Sequence, residues 1–367
     1  MRRWKKKIMA LAVLIGCAAP AGAWAQGADT DVTDPNSSEQ TDEGDESAEN
    51  GKSWAIAGSL TSRVGQGTFV SLENDAGVEG TLKGNGTAYD RANLIYSLSP
   101  SYQFKEFTFG AEFQLVQWLT AGGGTSTLPV GGGANDPADV YFQDTELSAA
   151  WQGHTFDSIG LTLAPSLSVG LPTSKASQIS TKYFDISTNL SLSKTFFEKL
   201  TLQGIVGFTK YFHKYQSPAI SADTGGEGNV LFRAGGAEDI GDGNVIIGGY
   251  NTSHVLSFGG VTSINIWESL SGSISYVMVN FYSYPGNREA DEYTAEYAQP
   301  KKNFGQAIST SVQLSYGIND YLSVSGGIGS YMSPKTSDNQ SFRFPFWNME
   351  GAAANRSWMT LGVSGQY

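Results

Sequence analysis

Along most of this chain, apolar and polar residues alternate one by one. The pattern is clearest at residues 159–171, where Ile159, Leu161, Leu163, Pro165, Leu167, Val169 and Leu171 fall at every second position. Strict alternation places all the apolar side chains on one face of a strand. Twelve such stretches follow the N-terminal region: 53–63, 91–104, 107–119, 140–151, 159–171, 182–196, 200–213, 254–267, 270–284, 306–316, 322–332 and 358–367. No apolar run beyond the extreme N-terminus approaches the ~20 residues of a membrane helix. Repeated alternating segments of about ten residues, separated by turn residues, predict an all-β fold: a transmembrane antiparallel up-and-down β-barrel of about twelve strands.

The spacing of the segments predicts an orientation. Connections after the even-numbered segments are short, at 105–106, 152–158, 197–199, 268–269 and 317–321. Those after the odd-numbered segments are long, at 64–90, 120–139, 172–181, 214–253, 285–305 and 333–355. Membrane barrels of this type keep short turns in the periplasm and long loops outside. Both termini are therefore expected in the periplasm, which requires an even strand count.

The final segment, Met359, Leu361, Val363 and Gly365 on one face and Thr360, Gly362, Ser364 and Gln366 on the other, ends on the aromatic Tyr367. It resembles the closing strand of Gram-negative outer-membrane β-barrels, where that strand is the assembly signal. The resemblance covers residues 53–367. It implies an outer-membrane location, contact with outer-membrane lipid and lipopolysaccharide, and recognition by barrel-assembly machinery through the strand that ends at Tyr367. Leu171-Pro172-Thr173-Ser174-Lys175, where a strand meets its loop, is also similar to barrels grouped as aromatic-compound transporters. No functional residue carries over from that likeness.

The N-terminus reads as an export signal. Arg2, Arg3, Lys5, Lys6 and Lys7 precede a short apolar core from Ile8 to Gly16, and Ala23-Trp24-Ala25 supplies small residues for cleavage before Gln26. Residues 1–25 are thus expected to be a signal peptide. A rival reading is a lipobox at Leu14-Ile15-Gly16-Cys17, whose cysteine is the only one in the chain. Residues 26–52 carry nine acids and a single lysine with almost no large apolar residue, and are expected to be an unstructured acidic leader.

Composition fits a barrel. The chain is 40% hydrophobic yet has 45 glycines and only 16% charged residues, as expected when every strand dilutes its apolar half with small polar residues. Without the signal's cations, 18 Lys+Arg face 35 Asp+Glu, a net charge of −17. Such a balance gives no footing for nucleic acid. No phosphate loop or zinc-ligand spacing occurs, and neither cofactor nor metal is expected.

Function is expected on the inward set. Its candidate lumen residues are Glu112, Gln114, Asp144, Glu146, Asp185, Gln203 and Gln313, set among Ser, Thr and Asn. The expected interior is small, hydroxylic and weakly acidic. It suits an outer-membrane channel or porin-like transporter that passes small neutral or cationic solutes by passive diffusion. The alternative is a non-conducting structural or binding barrel acting through its outer loops, since twelve strands lie between side-chain-filled and open barrels. A third reading, a lipid hydrolase, needs a base beside a nucleophile. Only His154, His213 and His254 are available; Ser253 and His254 are adjacent, so they face opposite ways along a strand. A non-enzyme is expected.

Three further expectations are structural. Pro100 and Pro165 lie mid-strand and predict local bulges. Aromatics are expected in two interfacial girdles, with Trp118, Tyr141, Tyr183, Tyr211, Phe212, Tyr282, Tyr284 and Tyr331 in the outer one. In the sixth long loop, Phe342, Arg343, Phe344, Pro345, Phe346 and Trp347 form an apolar cluster expected to pack inside or across the barrel mouth. Glu238, Asp239, Asp242 and Asn244 form a weak oxygen-rich group in the fourth.

Overall fold

The computed structural model describes residues 54–66, 92–119, 140–216, 219–221, 244–246, 251–284, 304–336, 340–349 and 356–367. The expected signal peptide and acidic leader, and Glu238, Asp239 and Asp242 of the fourth long loop, lie outside the described residues; Asn244 opens a short strand, Asn244–Ile246, that pairs with Ala219–Ser221. Twelve strands form the wall. They are β1 Trp54–Gly65, β2 Asn93–Phe104, β3 Phe107–Trp118, β4 in two pieces (Val140–Phe142 and Thr145–Trp151), β5 Leu161–Leu171 and β6 Lys182–Phe196. They continue as β7 Leu200–His213, β8 Thr252–Trp267, β9 Leu270–Ser283, β10 Phe304–Gly317, β11 Leu322–Met332 and β12 Ser357–Gln366.

Each strand pairs antiparallel with its sequence neighbour, and β12 returns to β1 from Trp358↔Gly65 to Gln366↔Ala57. The ring is thus a closed twelve-stranded barrel. The main chains of Ile56 and Tyr367 exchange two hydrogen bonds of 3.0 Å at the seam. Closure matters because a bilayer offers no water to an unpaired strand edge. The outward face carries exposed Leu60, Leu98, Phe113, Leu167, Val206, Phe258, Ile274, Leu314 and Leu361 around the wall. An apolar belt of this extent is untenable in water and fits a barrel that stands in a membrane.

The prolines behave differently from one another. At Pro100 the β2–β3 ladder skips from Leu98↔Phe113 to Ser101↔Gly110 with no change of register. The expected bulge is absent there; two rungs are lost instead. Opposite Pro165 a bulge does occur, on the facing strand. Ala150 pairs Ser166, but His154 pairs Leu163, so one extra residue is inserted near Gln152 and Gly153. Gly153 takes φ +97° there. The chain then pairs as His154–Phe156 before turning, so β4 runs further than the sequence pattern predicted and β5 starts at Leu161, not Ile159.

The short-turn end carries an exposed aromatic girdle of Trp54, Phe104, Phe107, Phe197, Trp267, Tyr316, Tyr321 and Tyr367. At the long-loop end the expected girdle is only partial. Tyr183 is exposed, but register turns Tyr141, Tyr211 and Tyr331 to the inside.

Candidate functional site

The inside of the wall is the candidate site, and its chemistry differs from one side to the other. On β3 to β6 it is acidic. Register sets Glu112 opposite Glu146, Glu146 opposite Gly170 and Gly170 opposite Asp185, which makes one rung across four strands. Like charges directly opposite one another destabilise a sheet, so this rung is costly to keep. Gly170 is its gap: a Cβ there would run into the Asp185 carboxylate.

A second bulge brings in Asp144. Leu115 pairs Phe142, but Glu112 pairs Glu146, so β4 carries one extra residue at Gln143 and Asp144. Bulges re-aim side chains in this way. Asp144 accepts hydrogen bonds from the backbone N–H of Ser174 at 2.9 Å and from the Ser177 hydroxyl. Both donors belong to the start of a short helix, α1 Lys175–Ile179, capped by Ser174. Lys182 binds Asp144 on one side and Asp185, at 2.7 Å, on the other. Its side chain is 6% exposed, so this is a buried Asp–Lys–Asp bridge. The sequence pattern gave the acids; it did not single out Lys182, which stands where β6 begins. Among the described residues no His, Cys, Asp or Glu cluster has the arrangement of a metal site.

The neutral candidates are spread out. Gln114 lies on β3, Gln203 on β7 opposite Val261 and Gln313 on β10 opposite Ser273. All three face inward and are half-buried, but they do not join the acidic rung.

On β7 to β11 the inside is apolar near the long-loop end. Tyr211, Val255, Val277, Val279, Phe281 and Ala307 form a buried cluster against which Tyr331 packs. Val279 is 1% exposed. The mostly hydroxylic lumen expected from the sequence therefore holds on only part of the wall: β9 presents Ser271, Ser273 and Ser275 inward in its first half, then Val277, Val279 and Phe281. The signal was in the sequence, because apolar residues occupy both faces over Val277–Phe281 and alternation is lost. On the β12–β1 side, the Arg63 guanidinium lies 3.6 Å over the Trp358 ring. Asn93, the cross-strand partner of Arg63, is 1% exposed.

The two rim histidines lie on opposite faces of the wall. His213 points inward, with Nδ1 2.7 Å from the Ser180 carbonyl. His254 points outward and stacks on Tyr282 with centroids 4.5 Å apart. They share no site, and His154 contacts only the edge of Phe156 among the rings.

The aromatic cluster of the sixth long loop corrects the expectation of a plug. The Pro345 carbonyl accepts hydrogen bonds from Thr310, at 2.5 Å, and from Ser330. The Ser357 hydroxyl accepts one from the Asn348 N–H at 2.7 Å. Thr310 pairs Ser330 and Ser330 pairs Ser357, and all three share the face of Leu314, Val324 and Met359. That is the outside of the barrel. Residues 340–349 thus strap down over the outer flank of β10–β12, not across the mouth. The physical reason is a row of outward hydroxyls that needs polar partners. Arg343 does not reach the lumen acids; its Nη1 donates to the Ser333 carbonyl at 3.0 Å and the Ser333 hydroxyl at 2.5 Å.

No protein-family model matches the chain, and no curated protein does. Solved structures with a similar barrel include a KdgM porin, with 9% identity and a TM-score of 0.38 over 85% of this chain and 99% of that one. A Pseudomonas aeruginosa FadL homologue gives 9% and 0.36 over 86% and 90%. The Pseudomonas putida toluene transporter TodX gives 11% and 0.31 over 86% and 90%. Likeness at this level says nothing about what this barrel carries.

Proposed function

We propose that this chain is an outer-membrane transport barrel that passes small neutral or cationic solutes by passive diffusion. The observation that carries the reading is the inward rung of Glu112, Glu146 and Asp185. Acids in register on a lumen wall draw cations, and a narrow low-dielectric passage focuses that field. The remaining inward positions on β1 to β6 are mostly small hydroxyls and amides, which suit a hydrated path. In this reading the short turns and both termini lie in the periplasm, residues 1–25 are removed on export, and the strand ending at Tyr367 is read by the assembly machinery. The side chains act by lining a path, not by catalysis.

The test is conductance of the purified barrel in planar bilayers under a salt gradient. The expected result is discrete openings with a reversal potential on the cation-selective side. Glu112→Gln with Glu146→Gln is expected to move the reversal potential toward zero by at least half. A barrel that never opens in either form would sink the proposal.

A second reading has its own observation. The apolar cluster around Val279 occupies the inside of β7 to β11 at the long-loop end, which favours a closed barrel acting through its loops. Folded protein with no conductance would support it.

A further inference from the structure

The outer-flank strap extends the surface that meets lipid. Its hydroxyl rung, Thr310–Ser330–Ser357, stands directly above the apolar rung Val312–Ile328–Met359 of the same outer face. Two residues along a strand span about 7 Å. The strap therefore covers a polar strip where the apolar belt ends; Ile308 and Met332, paired on the next rung of the same outer face, are 3% and 2% exposed. What it then presents outward is apolar: Phe342 is 79% exposed, Met349 73% and Phe344 54%. The Lys335 ammonium lies 6.0 Å over the Phe342 ring. Exposed rings next to a lysine, continuous with a lipid-facing belt, match the chemistry of a bilayer interface with anionic headgroups.

We infer that residues 340–349 are an interfacial foot, seated in the headgroup layer of the membrane and locking one side of the barrel at a fixed depth. The occupant of this surface is lipid. Lipid is favoured over a second copy of the chain by continuity with the belt one rung below and by the cation set over the most exposed ring. The inference does not depend on whether the lumen conducts.

The test uses nitroxide spin labels in the full barrel, with Cys17→Ser as background, reconstituted into vesicles of phosphatidylethanolamine and phosphatidylglycerol. Labels go singly at Phe342→Cys and Met349→Cys. Leu314→Cys marks the belt and Asp320→Cys an exposed turn. All four sites are exposed, so folding is not at risk, and the heat-dependent gel shift checks it. Collision with oxygen reports lipid; collision with a water-soluble nickel chelate reports solvent. The expected result is an oxygen-to-nickel ratio at Phe342 and Met349 within about threefold of Leu314 and well above Asp320. A ratio equal to that of Asp320 overturns the inference. So does shielding from both reagents with spin–spin broadening, which would mean that a second copy covers the strap.

Discussion

At the scale of single residues, the Asp144–Lys182–Asp185 bridge is a tightly constrained feature of the inner wall. Two carboxylates share one ammonium that is 6% exposed, while Glu146 and Glu112 stand on the adjoining strands. Removing the cation leaves buried like charges without compensation, which typically costs about 3–5 kcal/mol. Lys182→Met is therefore expected to lower the unfolding midpoint in guanidinium markedly. Lys182→Met with both Asp144→Asn and Asp185→Asn is expected to recover most of the loss. If the single variant matches the native midpoint, the bridge holds nothing together. The acids of this group were legible from sequence, because alternation assigns them to the inside. Lys182 was not, because it starts a strand beside an irregular pair at Tyr183, where alternation gives no face. Asp144 was placed inside for the wrong reason: an unbroken β4 would have sent it there, whereas a bulge and a helix cap hold it.

At the scale of elements, strand limits were legible where turn residues are sharp. Lys182–Phe196, Leu200–His213 and Leu322–Met332 coincide with their sequence patterns. Of the two bulges in β4, the one opposite Pro165 had that proline as its signal, whereas the one at Gln143 and Asp144 had none, because an inserted residue leaves no mark in composition. The bulge at Gly153 illustrates the physical demand. Its φ is +97°, and a Cβ would collide with the Leu163 carbonyl oxygen. Gly160, in the next turn, also has a positive φ of +59°, but open space lies around it. Gly153→Ala is expected to destabilise by about 1–3 kcal/mol, while Gly160→Asn stays near native, read as thermal midpoints in detergent. Equal midpoints would show that the bulge relaxes freely. The strap over β10–β12 gives a second expectation. Two hydroxyls converge on the Pro345 carbonyl, each worth about 0.5–1.5 kcal/mol. Thr310→Val with Ser330→Ala should release the segment, so chymotrypsin should cut after Phe342 or Phe344 several-fold faster. An unchanged digestion rate would mean that other contacts hold it. The sequence identified this cluster as unfit for water but not the side on which it packs. That choice is made by hydroxyls on the outward face of three strands, residues that read as ordinary diluents of an apolar pattern.

At the scale of the whole molecule, the barrel has two unlike inner walls. β3 to β6 carry acids and hydroxyls; β7 to β11 carry Tyr211, Val255, Val277, Val279, Phe281 and Ala307 near the long-loop end. In the proposed channel, a solute has to pass the second wall where Val279 and Phe281 are 1% and 4% exposed. On that reading, the same contacts that stabilise the wall set the width of the path. Truncating them pits stability against flow. Phe281→Ala alone is expected to cost about 3–5 kcal/mol if its site does not collapse, which a closed ladder of twelve strands can sustain. Phe281→Ala with Val279→Ala removes the bulk on one side of the path while leaving the acidic rung intact. The double variant is expected to raise single-channel conductance several-fold and to keep the sign of the reversal potential, since Glu112, Glu146 and Asp185 are untouched. Unchanged conductance in a folded double variant would move the constriction elsewhere. Silence in both native and double-variant barrels would reject the channel and leave a closed scaffold whose apolar interior serves stability alone.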